Sequence, residues 1–195
     1  MATDAPRPLP CMYLVWPRAL LAGPLNYSVP AGYSIRPYRE GDDEPIRQLL
    51  ATEWPRDSDA HWKGYKDRIL PNGLFVALDS RTNTIIATAG AVHNPVSGRY
   101  YFPFGGELGD MVVHPEHRGK KLGAAISAVV VRRFLAAGYE NIWVCVQDAR
   151  LPAAATYLKL GFVPFLHDES LAPRWAAVCG QLGWAYTPDE WPKTL

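Results

Sequence analysis

The run VVHPEHRGKKLGAAI, residues 112–126, constrains this chain more than any other stretch. A β-branched segment stops at His114-Pro115, passes through a basic, glycine-bearing turn and restarts as an amphipathic helix. A strand, such a turn and a helix N-terminus in that order make an anion site. The first turn of a helix leaves about four amides without internal acceptors, and the macrodipole adds partial positive charge there. Arg118, Lys120 and Lys121 add full charges at the same pole. The spacing is not that of a Walker loop, since Gly119-Lys120 is followed by Lys121 and no glycine stands at the required distance before it. The GGELG run at 105–109 lacks the G-x-G-x-x-G register.

The turn resembles the signature of the GNAT superfamily of N-acyltransferases, Gln/Arg-x-x-Gly-x-Gly/Ala after a strand ending in Val-x-Pro. Here it reads Arg118-Gly119-Lys120-Lys121-Leu122-Gly123 after Val113-His114-Pro115. Lys121 stands where the family usually has glycine, so its side chain must point outward or itself reach the phosphate. A second block, PAAATYLKLGF at 152–162, is similar to the family's A-x-x-x-Tyr-x-x-x-Gly-Phe segment. Arg150 occupies the place of an asparagine that ordinarily contacts the coenzyme.

This resemblance covers residues 33–166 and implies an α/β chain of the α+β type. Its sheet would be mixed, mostly antiparallel, with splayed strands and flanking helices. An N-terminal arm (1–32) and a C-terminal helix and tail (167–195) lie outside it. It implies acetyl-CoA as cosubstrate, its pantetheine arm lying between strands 107–113 and 141–146 against Met111, Val112 and Val113. Arg118, Gly119, Lys120, Lys121, Leu122, Gly123 and Ala124 would hold the diphosphate. The implied reaction is direct attack of a primary amine, on a small molecule or a peptide, at the acetyl carbon. Tyr157 is the candidate general acid, and Glu107 and Asp110 are the candidate bases, with Glu107 favoured. On a regular strand these carboxylates, three apart, face opposite sides unless a bulge intervenes. The rival readings are a non-catalytic acyl-CoA sensor and a partner-binding module on the same fold.

Composition narrows the alternatives. With 195 residues, 48% of them hydrophobic, the chain suits one domain with a substantial core. Twenty Lys and Arg against nineteen Asp and Glu give a net charge of +1, which supplies no general attraction to nucleic acid or a membrane surface. Cys11, Cys145 and Cys179 are odd in number and far apart, which suits a reducing cytoplasm and no disulfide framework. His114 and His117 have no further His or Cys at ligand spacing, so no metal is expected. His114-Pro115-Glu116 lacks the Pro-Cys-x-x-Cys partner of zinc deaminases. MYLVWPRALLA is broken by Pro17 and Arg18, too short to span a bilayer, and expected to pack on the domain as an arm. A homodimer is the assembly left open.

Periodicity supplies the elements between the motifs. GDDEPIRQLLATEW predicts a first helix with Ile46, Leu49, Leu50 and Trp54 on one face, and residues 58–70 predict a second. LFVALD and IIATAGAVHN predict an antiparallel hairpin across SRTNT. A helix over about 119–137 carries Leu122, Ile126, Val129, Val130 and Phe134 as its stripe, and GFVPFL predicts a closing strand. Leu171, Trp175, Val178 and Leu182 mark a C-terminal helix. Trp54, Trp62, Tyr65, Tyr100, Tyr101, Phe102 and Phe104 are the aromatic residues available to wall an acceptor pocket.

Overall fold

A computed structural model describes residues 11–23, 25, 27–54, 59–98 and 100–195, with only the backbone of 59–61. The first ten residues of the expected arm and the start of the second helix at Ser58 lie outside the described residues. The elements are β1 (Met12–Val15), β2 (Tyr33–Pro37), α1 (Asp43–Ala51), α2 (Asp59–Lys66), β3 (Ile69–Asp79), β4 (Ile85–His93), β5 (Gly106–Val113), α3 (Leu122–Ala136), β6 (Ile142–Val146), α4 (Leu151–Leu160), β7 (Val163–Pro164) and α5 (Leu171–Leu182). They build one seven-stranded sheet in the order β2-β3-β4-β5-β6-β1-β7, antiparallel throughout except between β5 and β6. The mixed, mostly antiparallel α/β architecture expected from the sequence is the one observed.

The largest departure concerns the arm. Met12–Val15 does not lie on the domain but runs inside the sheet, antiparallel to β6 (Met12↔Val146 to Val15↔Trp143) and to β7 (Leu14↔Pro164, Val15↔Val163). All four of its residues are buried. A strand covered on both faces reads as an unbroken apolar run, so MYLV carries no alternation to betray it. The closing strand is correspondingly short: of GFVPFL only Val163 and Pro164 pair. Ile69 and Leu70, read as the end of the second helix, instead open β3.

The sheet separates two apolar layers. On one side α3 presents Leu122, Ile126, Val130 and Phe134, all buried, to Ala87, Ala89, Ala91 and Leu108, while Val129 is only partly covered. Small alanines on β4 let that helix approach closely. On the other side Ile46, Leu49 and Leu50 of α1 and Trp62 and Tyr65 of α2 cover Leu74, Val76, Val92 and Val112. Trp54 falls beyond the end of α1 and is 39% exposed. Leu171, Trp175 and Val178 seat α5 against the first layer, and Arg174 Nε donates to Asp148 Oδ2 at 2.8 Å, tying α5 to the loop after β6. Among the described residues no helix is long and apolar enough to cross a membrane.

Candidate active site

The sheet opens at its one parallel junction. Strands β5 and β6 pair at Gly106↔Ile142 and Glu107↔Trp143 and nowhere beyond, among the described residues. A bulge in β5 accompanies the opening. Val112 and Gly109 face Thr88 and Gly90, so two residues of β5 stand opposite one of β4, and Asp110 takes a positive φ of 45°. An extra residue bends the strand and reverses its alternation. Accordingly Leu108 packs under α3 whereas Val112, four residues on, packs under α1 and α2. Glycines make room for the lining: a Cβ on Gly90 would sit 2.2 Å from Tyr65 Oη, which donates to the Gly109 carbonyl at 3.3 Å.

At the C-terminal end of β5 the anion turn takes the form its residues dictate. Gly119 has φ +75° and Lys121 φ +63°, so the position at which the family has glycine is a left-handed one, here filled by an exposed lysine. The first amide of α3 shown with a carbonyl acceptor is that of Ala125, to Lys121 O at 3.1 Å, so the amides of Leu122, Gly123 and Ala124 precede the ladder. Gly123 lies beside Met111, whose sulfur is 3.5 Å from the site of a Cβ, which brings two of the expected contact residues together. Lys120 Nζ lies 6.0 Å from the Tyr33 ring centroid. Arg118 Nε donates to the Val113 carbonyl at 3.0 Å, and its outer nitrogen is paired with Glu53. The other oxygen of Glu53 meets Arg150 at 3.2 Å, and Arg150 stacks 5.5 Å over Trp54. Neither Glu53 nor this use of Arg150 was legible in sequence. The turn also gathers His114, Glu116 and His117, one donor atom of each within 4.8 Å of the others, and Tyr33 Oη lies 3.1 Å from His117 Nδ1.

The bulge falls at Asp110, so the regular alternation that would set it opposite Glu107 does not hold there. Glu107 and Asp110 both lie near enough to Tyr65 to reinforce the effect of burial in pushing its phenol well above the usual range. Glu107 is itself raised from its ordinary value, first by burial and further by Asp110. The Asn94 amide, donating to Glu107 Oε2 at 2.7 Å, and the charge of Arg68 oppose that rise. Tyr157 is buried in the layer beneath α3, 6.0 Å from Phe162 in an edge contact, and burial raises its phenol, reinforced by Cys145. Cys145, on β6, is held as a thiol by burial and feels Glu107 as well. The expected aromatic walls are mostly packing: Trp62, Tyr65 and Phe102 are buried, and Phe102 stacks on Trp143 at 4.8 Å. Tyr101 and Phe104 remain exposed.

A sequence model described as the acetyltransferase (GNAT) family matches residues 43–162. The chain belongs to that family. The GNAT region takes in α1, the bulged strand, the anion turn and the Tyr157 helix, and leaves out β1 and α5. No curated protein matches the sequence. Among solved structures it is similar to a GCN5-related N-acetyltransferase from Sphaerobacter thermophilus (15% identity, 79% of this chain and 47% of that one, TM-score 0.61). A second is the aminoglycoside N-acetyltransferase AAC(6')-Iy in complex with CoA (23%, 70% and 92%, 0.56). A third is a tandem GNAT protein from the clavulanic acid biosynthesis pathway (20%, 79% and 50%, 0.56). At such identities the likeness is one of fold. Against several matches, the first and third of these among them, this chain spans about half the other protein's length.

Proposed function

We propose that this GNAT protein is an acetyl-CoA-dependent N-acetyltransferase acting on a primary amine of a small molecule or peptide. The observation that carries the reading is the parting of β5 and β6 after Glu107↔Trp143, directly before a turn whose amides precede the α3 ladder. Backbone edges that part inside a sheet need partners, and an amide-bearing arm supplies both donors and acceptors. Met111, Val112 and Val113 lie on the β5 side of that gap, and residues 118–124 at its mouth. The CoA complex of AAC(6')-Iy shows that a protein of this fold takes the coenzyme.

In this reading Glu107 takes the proton of the incoming ammonium, a task favoured by its raised basicity. The free amine attacks the thioester carbonyl. A backbone amide of β5 facing the carbonyl oxygen would stabilise the developing negative charge by about 3 kcal/mol. Tyr157 gives its proton to the departing thiolate, and the raised phenol leaves it protonated at neutral pH until then; the second proton shed by the attacking nitrogen as the amide forms restores the phenol, and Glu107 releases its proton to solvent. Asp110, beside Glu107 on the bulge, adds negative potential that attracts a cationic acceptor. We place the protein in a reducing cytoplasm, consistent with three free cysteines, without nucleic acid or membrane as partner and with homodimerisation open.

The test is a thermal-shift titration with CoA and acetyl-CoA, followed by thiol release with a panel of amines. At a hundred times its dissociation constant a ligand stabilises the fold by about 2.7 kcal/mol, some 5–10 °C for a chain this size. Coenzyme binding with thiol release supports the enzyme. Binding without release across the panel converts the reading to an acyl-CoA sensor, and no response to coenzyme removes both.

A further inference from the structure

We propose that Asn94 is a positioning residue that fixes the carboxylate of Glu107 at the apex of the wedge; the proposal rests on the reading of Glu107 as the base. Asn94 follows the last residue of β4 and touches both members of the final rung before the sheet opens. Its side-chain Nδ2 donates to Glu107 Oε2 at 2.7 Å, and its carbonyl accepts the indole Nε1–H of Trp143 at 3.0 Å. Its own amide donates to the Gly105 carbonyl at 2.9 Å. Trp143 is 2% exposed and stacked on Phe102, so the backbone that carries Asn94 is anchored to the core. A carboxylate only accepts hydrogen bonds, so the amide nitrogen is the atom that faces it, and the bond is charge-assisted. One oxygen of Glu107 is thereby committed to Asn94, and Oε1 is the atom left for a substrate proton.

The arrangement selects the form of the base. Donation from Asn94 favours the ionised carboxylate, against burial and Asp110, which favour the protonated one. Without it Glu107 would spend more of its time protonated at neutral pH and its side chain would lose its fixed rotamer. Both effects remove a proton acceptor from the amine's path, whereas coenzyme held on the far side of the wedge is untouched.

The experiment compares Asn94→Ala, Asn94→Asp and Asn94→Gln with the wild type. Asn94→Asp keeps the shape and replaces the donor with a like charge; Asn94→Gln keeps the donor. In the pH profile of kcat/KM the acid limb is expected to move to higher pH in Asn94→Ala and further in Asn94→Asp. The fall in kcat at neutral pH is expected to be about tenfold in Asn94→Ala, with CoA affinity unchanged and partial recovery in Asn94→Gln. The second readout needs no turnover: the side-chain carboxyl resonance of Glu107, assigned by its loss in Glu107→Gln, titrates at higher pH in Asn94→Ala. An unmoved limb and an unmoved resonance in folded variants overturn the proposal. If the wild type releases no thiol with any amine, the enzyme reading fails, and the resonance alone decides whether Asn94 governs this carboxylate.

Discussion

Arg118, the first residue of the anion turn, is paired with Glu53 at the end of α1. The same carboxylate reaches Arg150 at the start of α4, so one acidic side chain links the two elements that flank the wedge. Coenzyme phosphates would have to compete with it for both guanidinium groups. Glu53→Gln should therefore tighten CoA binding rather than weaken it. The gain should be about fivefold, because partly exposed ion pairs of this kind are worth at most about 1 kcal/mol each. Calorimetric titration with CoA checks the sign.

Lys121 carries a left-handed backbone at φ +63° immediately before α3. A side chain there costs about 1–2 kcal/mol; glycine removes that strain, but its greater freedom in the unfolded chain offsets part of the gain. Lys121→Gly should stabilise the fold by about 0.5–1 kcal/mol, a rise in Tm of about 2 °C. Calorimetry on the two proteins in the absence of coenzyme measures it, and a fall in Tm would mean that the lysine side chain has a stabilising partner.

Glu107 should show a conflict between stability and activity. Its carboxyl is raised in the folded chain, chiefly by burial, so the native state holds the proton more tightly than the unfolded one. The stability this gives is present below the unfolded pKa and is lost as pH rises through the folded value. Glu107→Gln, which mimics the neutral form, should melt above the wild type at pH 8, with the gap closing near about pH 4. Thiol release should fall in the same variant.

Tyr157→Phe removes only the phenolic oxygen from a buried ring. Turnover should drop about 100-fold, the scale of a lost general acid, with CoA affinity unchanged. Turnover equal to the wild type would take Tyr157 out of the chemistry.

The anion turn, α3 and the Tyr157 helix were legible because helical period, turn chemistry and motif spacing are all local: Leu122, Ile126, Val130 and Phe134 announce their shared face within four turns. Carboxylates three apart could be named as candidates from β5, but the strand alone did not say whether Glu107 and Asp110 face together. The strand's regular alternation is broken by the bulge between the Thr88 and Gly90 pairings of β4. Likewise MYLV shows that Met12–Val15 is apolar and not that it lies between β6 and β7, since strand partners are chosen by contacts more than a hundred residues away. Glu53 beside Arg118 and Asn94 beside Glu107 belong to the same class. A charge or an amide has no period, and its partner exists only once the chain has closed around it.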